Sequence, residues 1–321
     1  MRLAIQLPDI TCRIALMVNY ILRRILLTVP TLIAVLIICF GLTRISGDPA
    51  DLMLPIDVSD DARAAFRQTH GLDKPIAEQF LTFTVNALQG DMGRSLRFGE
   101  PSLQLVSERL AATSELALAA LGLSIAMGIP LGVIAAQRYG SWPDRLIRNG
   151  IAVSQAVPSF YVGILLMMVF AVGFGMLPIG GRQGPANLVL PALTLASGLV
   201  PLIARVTRSC MLDELGRDYI RTARAKGVKE TLIVWKHSLR NACIPLVTVI
   251  GLQVGALMSG VVVTETVFAW PGIGRLAIQA IYARDFPVVQ AVVLFFSVVF
   301  ILVNLFVDIL YAVMDPRVGY K

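Results

Sequence analysis

Charged side chains are scarce in this sequence. Only 15% of its 321 residues are Asp, Glu, Lys or Arg, and 56% are hydrophobic, whereas about a quarter of the residues in a soluble protein are charged. The mean hydropathy is +0.74. The apolar residues also come in long runs, which a lipid bilayer explains better than a large water-soluble core does. The composition therefore indicates an integral membrane protein.

Residues that build metal sites and catalytic relays are also few. The four cysteines show no C-x-x-C spacing, so they indicate neither a zinc site nor a disulfide framework, and we expect them to be packing residues. The two histidines, His70 and His237, fall on opposite sides of the predicted membrane and cannot share a metal or a Ser-His relay. No G-x-x-x-x-G-K-[ST] motif occurs. We therefore expect a non-enzyme without cofactor or metal, and any ATP and Mg must be bound by another chain.

Six stretches of the chain carry no charge at all, and charges at the bilayer centre are costly. Each stretch is long enough for one helix of about 20 residues to cross the membrane. The third stretch is overlong and ends in a Gly-rich run, so we predict a helix ending near Val172 followed by an outer turn. The six charge-free windows are 25–43, 116–136, 149–181, 183–204, 241–264 and 286–307.

Basic residues predict the orientation. With the N-terminus inside, the inner segments hold 18 of the 28 lysines and arginines, as the positive-inside rule requires. This charge placement also explains the net charge of +7 without nucleic acid, so we expect a multi-pass membrane protein with both termini cytoplasmic. We do not expect a cleaved signal peptide, because the first long apolar run starts at Ile25, is followed by Arg44 and lacks a small-x-small cleavage site. Residues 1–16 form an interfacial helix or precede a true start at Met17.

The expected fold is all-α, with six transmembrane helices, a small helical external segment between the first two and a cytoplasmic coupling helix between the fourth and fifth. In the external segment, Ile76 to Gln89 reads as an amphipathic helix. This segment either contacts an external partner or seals the pore rim. The predicted organisation is an N-terminal segment (1–24), a first span (25–43), an external segment (44–115), a core (116–312) that includes the inner loop 205–240, and a tail (313–321).

The inner loop 205–240 carries the most information. We predict one helix from Met211 to Ala225, a stop at Gly227, and a second helix from Lys229 to Arg240. Two short helices joined by a glycine turn form a rigid knob that transmits force from a soluble motor. The alternative is a basic loop attracted to anionic lipid.

A second stretch, after the fifth window, combines an acid with helix breakers. Trp270, Pro271, Gly272 and Gly274 follow Glu265 and precede a short apolar helix. We interpret these five residues as a re-entrant element that lines the outer side of the pathway. The acids at span edges (Glu265 among them) either relay protons or lie at the interface.

The inner loop resembles a known family. Arg221-Thr222-Ala223, followed by Gly227, is similar to the EAA signature of binding-protein-dependent ABC importer permeases. The longer run DYIRTARAKGVKE…LRNACIPLVT resembles the oligopeptide/dipeptide branch, in which the closing proline (here Pro245) lies farther from the glycine. Further resemblances are NYILRRILLTVPTL, GDPAD, GLDKPIAEQF, GDMGRS, VPSFYVGILL, TETVFAWPGIGRLAIQAIYARDFPVVQ and DPR.

The resemblance implies an importer of the bacterial inner membrane with several partners. These are a second homologous permease chain, two ATPase subunits or domains that bind ATP and Mg, and an external solute-binding protein. The knob at 211–235 would sit in a cleft of one ATPase and change the pore from inward-open to outward-open. The implied coupling residues are Asp218, Tyr219, Arg221, Thr222, Ala223, Ala225, Lys226 and Gly227.

The substrate stays open at this point. The resemblance favours di- and oligopeptides, but the same branch resembles permeases for nickel chelates, glutathione and antimicrobial peptides. A stand-alone secondary transporter is a further alternative. It is less consistent with the sequence, because no inverted repeat and no charge inside a window are present.

Overall fold

The computed structural model describes residues 10–45, 54, 58–69 and 71–314, and the regular structure in this part of the chain is helical apart from one isolated β-bridge. Predictions that concern residues 1–9, the GDPAD run, His70 and the DPR run lie outside it. The helices are α1 (Ile10–Ile45), α2 (Asp60–Thr69), α3 (Ile76–Leu88), α4 (Ser102–Gln137), α5 (Trp142–Ala156), α6 (Ser159–Leu166), α7 (Ala186–Leu215), α8 (Asp218–Ala225), α9 (Leu239–Val267), α10 (Ile273–Tyr282) and α11 (Phe286–Met314). A short turn, Glu230–Leu232, and a π-helical stretch, Ile233–Ser238, lead into α9, and another π-helical stretch, Met167–Gly173, extends α6.

Three of these helices, α4, α7 and α11, are long and apolar enough to cross a membrane unaided. Two bent pairs would bring the number to five, and α1 contains a shorter apolar helix, Leu26–Gly41. Each of the six charge-free windows falls on one of these elements. The all-helical class and the apolar helices are thus confirmed, while the count of six crossings remains a prediction.

The third window is bent. The helical segments Trp142–Ala156 and Ser159–Gly173 meet at 99°, so the prediction of one continuous helix is wrong. Pro158 explains the break: the residue before a proline avoids helical geometry, and Val157 is extended, with φ −102° and ψ 127°. The second segment ends at Gly173, next to the predicted end at Val172.

The core lies where α4, α7 and α9 meet, and α4 and α7 pack along each other extensively. Small residues on α4, such as Ala112 and Ala120, let the helices approach, and Leu195 of α7 and Val261 of α9 fill the space between them. Trp270, fully buried, joins this cluster from the stretch that follows α9. The core therefore fastens the predicted re-entrant element to the helix bundle.

The external segment contains the predicted amphipathic helix as α3, Ile76–Leu88. Phe80 and Phe83 pack against Phe40 of α1, with ring centroids 5.5 and 5.9 Å apart. Helix α4 begins at Ser102, well before the charge-free window at 116–136. Its first turns carry charges such as Glu108, so a window defined by the absence of charge does not include them. Residues 102–115, which we predicted as the end of the external segment, are therefore the first turns of α4.

Candidate coupling site and outer clasp

The predicted coupling helix, α8, is separate from α7. The predicted single helix from Met211 to Ala225 is wrong, because α7 ends at Leu215 and two residues, Gly216 and Arg217, intervene. Gly216 weakens a helix, and Arg217 is extended, with φ −71° and ψ 150°. Asp218 then opens the new helix, where a carboxylate complements the helix dipole.

Gly227 ends the coupling helix as predicted. Its amide donates to the carbonyl of Arg224 (2.9 Å), and the amide of Val228 donates to the carbonyl of Ala223 (3.1 Å). These two hydrogen bonds form a Schellman cap. The cap requires a left-handed residue, and Gly227 has φ +73°, a conformation that glycine adopts without strain.

Polar contacts hold α8 against both neighbouring helices. The Tyr219 hydroxyl donates to Glu214 Oε2 of α7 (2.6 Å) and accepts from Asn241 Nδ2 of α9 (3.0 Å). Burial and the hydrogen bond to Glu214 raise the pKa of Tyr219, so the hydroxyl remains a donor at neutral pH. Ile220, with no exposed surface, is the buried anchor of the helix.

An ion pair closes the turn after the cap. The Arg224 guanidinium donates to both carboxylate oxygens of Glu230, at 2.6 and 3.1 Å. Both side chains are about half exposed, so we assign the pair a modest contribution to stability. Its bidentate geometry does fix the direction in which the chain leaves α8 toward α9.

The eight predicted coupling residues share one end of the protein. All are exposed except Ala223, which is half-buried. Two apolar side chains that follow in sequence and that the sequence patterns did not single out, Leu232 and Trp235, are exposed at 46% and 44%. An exposed tryptophan beside polar residues is typical of protein interfaces. The docking role of this surface stays a prediction.

A buried ion pair joins α5 to α7. Asp144, at the start of α5, is 1% exposed and accepts from Arg208 of α7 at 2.8 and 3.0 Å. It also accepts from the amide of Gly140 (3.0 Å), and Arg148 lies 3.6 Å away. Arg208 sits seven residues, or about two turns, before the end of α7. The pair thus connects the first turn of α5 to α7, the helix that precedes α8.

Glu265 organises the predicted re-entrant element. This fully buried carboxylate accepts from Thr113 Oγ1 (2.7 Å) and from the amide of Arg275 (3.0 Å). The Thr113 hydroxyl in turn accepts from the amide of Ile273 (2.8 Å). A Cβ added at Gly272 would lie 1.9 Å from Glu265 Oε1, so the carboxylate can approach only because this residue is glycine.

The other residues of this element pack in the same place. The Trp270 indole donates to the carbonyl of Ala112 (2.8 Å), and Gly274 faces the backbone of Val262. Pro271 is half-buried. The short apolar helix that we predicted after them is α10. In this single chain the element is fastened to α4 and α9, and its role in lining the pathway stays a prediction.

Asp285 makes a second attachment of this kind, and no local sequence pattern marks it. This carboxylate is 1% exposed and accepts from Ser95 Oγ (2.5 Å) and from the amides of Leu96 (3.2 Å) and Arg97 (3.3 Å). It ties the loop before α4 to the turn between α10 and α11. We call Glu265 and Asp285, with their hydrogen-bond partners, the outer clasp, after the side of the membrane that the sequence predicts for them.

The remaining acids at span edges are paired. Glu115 accepts from Arg182 at 2.7 Å, and Asp308 lies 3.2 Å from Arg24. These pairs give each acid a neutralising partner, which agrees better with an anchoring position at the interface than with a proton relay.

Comparison with known proteins decides the family. Residues 128–320 match the model of the family described as binding-protein-dependent transport system inner membrane component, and residues 17–116 match the model of its N-terminal region. This chain belongs to that family. It is a permease of the peptide branch of ABC importers, the non-catalytic membrane component of an ATP-driven import system.

Relatives and solved structures agree with this assignment. The permease is 42% identical over 306 residues to the glutathione transport system permease protein GsiC of Pectobacterium atrosepticum and 43% identical over 307 residues to that of Escherichia coli K12. Both alignments cover 95% of this chain and all of the relative. Two inward-facing crystal structures of the MetNI methionine ABC transporter match with TM-scores of 0.56 and 0.57. They are 20% identical and cover 66% of this chain and 97% of theirs, so they show a shared fold.

The family assignment carries the general partners with it. Permeases of this family work with ATPases, a solute-binding protein and a second permease in the inner membrane. The predictions of an importer permease and of a non-enzyme are therefore confirmed.

Proposed function

We propose that this permease imports di- and oligopeptides, with glutathione, itself a tripeptide, as the first substrate to test. The support is the match to glutathione permeases over their whole length at 42–43% identity. The neutral, apolar window interiors also suit a wide pore in which an external binding protein provides most of the selectivity. No specific observation favours nickel chelates or antimicrobial peptides.

We further propose that α8 docks on one of two ATPase subunits, which bind ATP and Mg for the complex. The inner segments, including both termini, then face the cytoplasm, and the outer clasp faces the binding protein. Support comes from the exposed polar end of α8 and from its attachments to α7 and α9 through Tyr219. A docking element transmits force only if it binds the ATPase differently in the two states of the cycle.

Uptake by intact cells tests the substrate. Cells that lack this chain should lose uptake of radiolabelled glutathione, and the restored gene should recover it. An excess of unlabelled tripeptide should compete, and free amino acids should not. If glutathione and peptide uptake are both unchanged by the deletion, the substrate proposal is wrong, and mass spectrometry of the ligand bound to the cognate binding protein would show the true class.

Nucleotide binding tests the division of labour. We expect the purified chain alone neither to bind nor to hydrolyse ATP, because it has no phosphate-binding motif. Saturable binding of a fluorescent ATP analogue by the isolated permease would contradict the assignment of ATP to other subunits.

A further inference from the structure

A narrow groove runs between α1, α9 and α11. Its wider part is a cavity of about 370 Å³ with an almost wholly apolar wall. The side chains that form most of this wall are Val35 of α1, Met258 and Val262 of α9, and Phe296, Phe300 and Ile301 of α11.

A second cavity continues the groove toward the other end of the helices. It has a volume of about 170 Å³, shares Thr31, Phe300 and Ile301 with the first, and is more polar. It ends at Arg24 and Asp308. The groove therefore has one apolar end and one charged end.

The length of the groove matches one leaflet of a bilayer. From Arg24 to Val35 the groove follows 11 residues of helix, which is about 17 Å at 1.5 Å per residue. One half of the hydrocarbon core is about 15 Å deep. An extended acyl chain that enters beside Arg24 would reach the end of the groove near the bilayer centre.

The charged end carries a net positive charge. Arg24 lies 3.2 Å from Asp308, with 45% and 27% of the two side chains exposed, and the neighbouring Arg23 is also exposed. Arg24 and Asp308 line this end together with Asn304. Arg23 does not line the cavity, but it adds a second positive charge one residue before Arg24, so the two arginines exceed the one aspartate by one charge. This end precedes the first charge-free window, at the level of lipid headgroups.

We propose that the groove binds one acyl chain of an anionic phospholipid, with the headgroup held at Arg23 and Arg24. The inference rests on the inside orientation under the proposed function, because the cytoplasmic leaflet is where anionic headgroups attract basic residues. The lipid would fill the gap between α1 and α9 that the protein itself leaves open. A helix of the second permease chain is the competing occupant.

Native mass spectrometry of the full chain, titrated with phosphatidylglycerol or phosphatidylcholine, tests the site. We expect one phosphatidylglycerol bound more tightly than phosphatidylcholine. Thr31→Trp and Ser297→Trp each place a large side chain in the groove and should weaken binding about tenfold. The matched control is Leu302→Trp, since Leu302 is 57% exposed on α11 and does not line the groove; it should bind like the native chain.

Two results would overturn the site. One is equal phosphatidylglycerol binding by the groove variants and by Leu302→Trp. The other is a cross-link from Val35→Cys to the second permease chain in the assembled transporter, because a protein helix would then occupy the groove.

Arg23→Gln should reduce the preference for phosphatidylglycerol over phosphatidylcholine while the acyl chain still binds; an unchanged preference contradicts the headgroup assignment. Failure here leaves the import proposal intact, since uptake tests that separately.

Discussion

Removing Arg208 should destabilise the permease far more than removing an exposed arginine of the coupling helix. In Arg208→Ala the Asp144 carboxylate, 1% exposed, keeps only the Gly140 amide at 3.0 Å and the partly exposed Arg148 at 3.6 Å. Breaking a buried pair on one side costs about 3–5 kcal/mol. Because the Arg208 side chain is 18% exposed and Arg148 remains, we expect about 2–3 kcal/mol, below that range.

A double-mutant cycle separates the pair from simple loss of packing. Asp144→Ala combined with Arg208→Ala removes both charges, so the double variant should be less destabilised than the sum of the two single variants by about 1–2 kcal/mol. The measurement is unfolding in mixed detergent micelles, followed by tryptophan fluorescence. The control is Arg221→Ala: Arg221 and its partner Asp218 are 78% and 96% exposed, and the loss should stay within about 0.5 kcal/mol. Strict additivity in the cycle would refute the reasoning.

Two further predictions concern the outer clasp. Gly272→Ala should lower the thermal unfolding midpoint markedly, because the added Cβ would lie 1.9 Å from Glu265 Oε1. In the control, Gly184→Ala, the added Cβ has no neighbour within 4 Å, so the midpoint should be nearly unchanged. Equal midpoints for the two variants would show that Glu265 moves away without cost. Asp285→Asn replaces an acceptor-only carboxylate by an amide and should make the loop before α4 more sensitive to protease. The control is Asp91→Asn, which changes an exposed side chain of the same loop and should leave the cleavage rate unchanged. Equal cleavage of the two variants would contradict the attachment through Asp285.

Two local features of the fold could be predicted from sequence pattern. The cap at Gly227 was predictable because it requires one residue type, glycine, in a left-handed conformation. The helix Ile76–Leu88 was predictable from the spacing of its apolar residues alone. The break at Gly216 was missed because the flanking residues all tolerate a helix. The bend at Pro158 was missed because the window shows only that charge is absent, and a broken helix satisfies that condition as well as a straight one.

The buried carboxylate sites could not be predicted in the same way. Asp144 meets Arg208 across 64 residues, and Asp285 meets Ser95 across 190. No periodicity or spacing connects such positions, since the contacts exist only after helices pack. Glu265 was identified in the sequence from its neighbours Trp270 and Gly272. Its hydrogen-bond donor, the hydroxyl of Thr113, lies 152 residues away in sequence and was not identified.

The central claim is that the coupling helix transmits ATP hydrolysis to the pore, and a single assay tests it directly. ATP hydrolysis and glutathione uptake are measured together in proteoliposomes that contain the assembled transporter. Gly227→Pro, or Asp-Asp in place of Thr222 and Ala223, should abolish uptake driven by ATP while membrane insertion stays normal. The control Arg138→Ala, at an exposed arginine outside the predicted coupling residues, should keep its uptake. Full uptake by both coupling variants would show that this helix is not the coupling element.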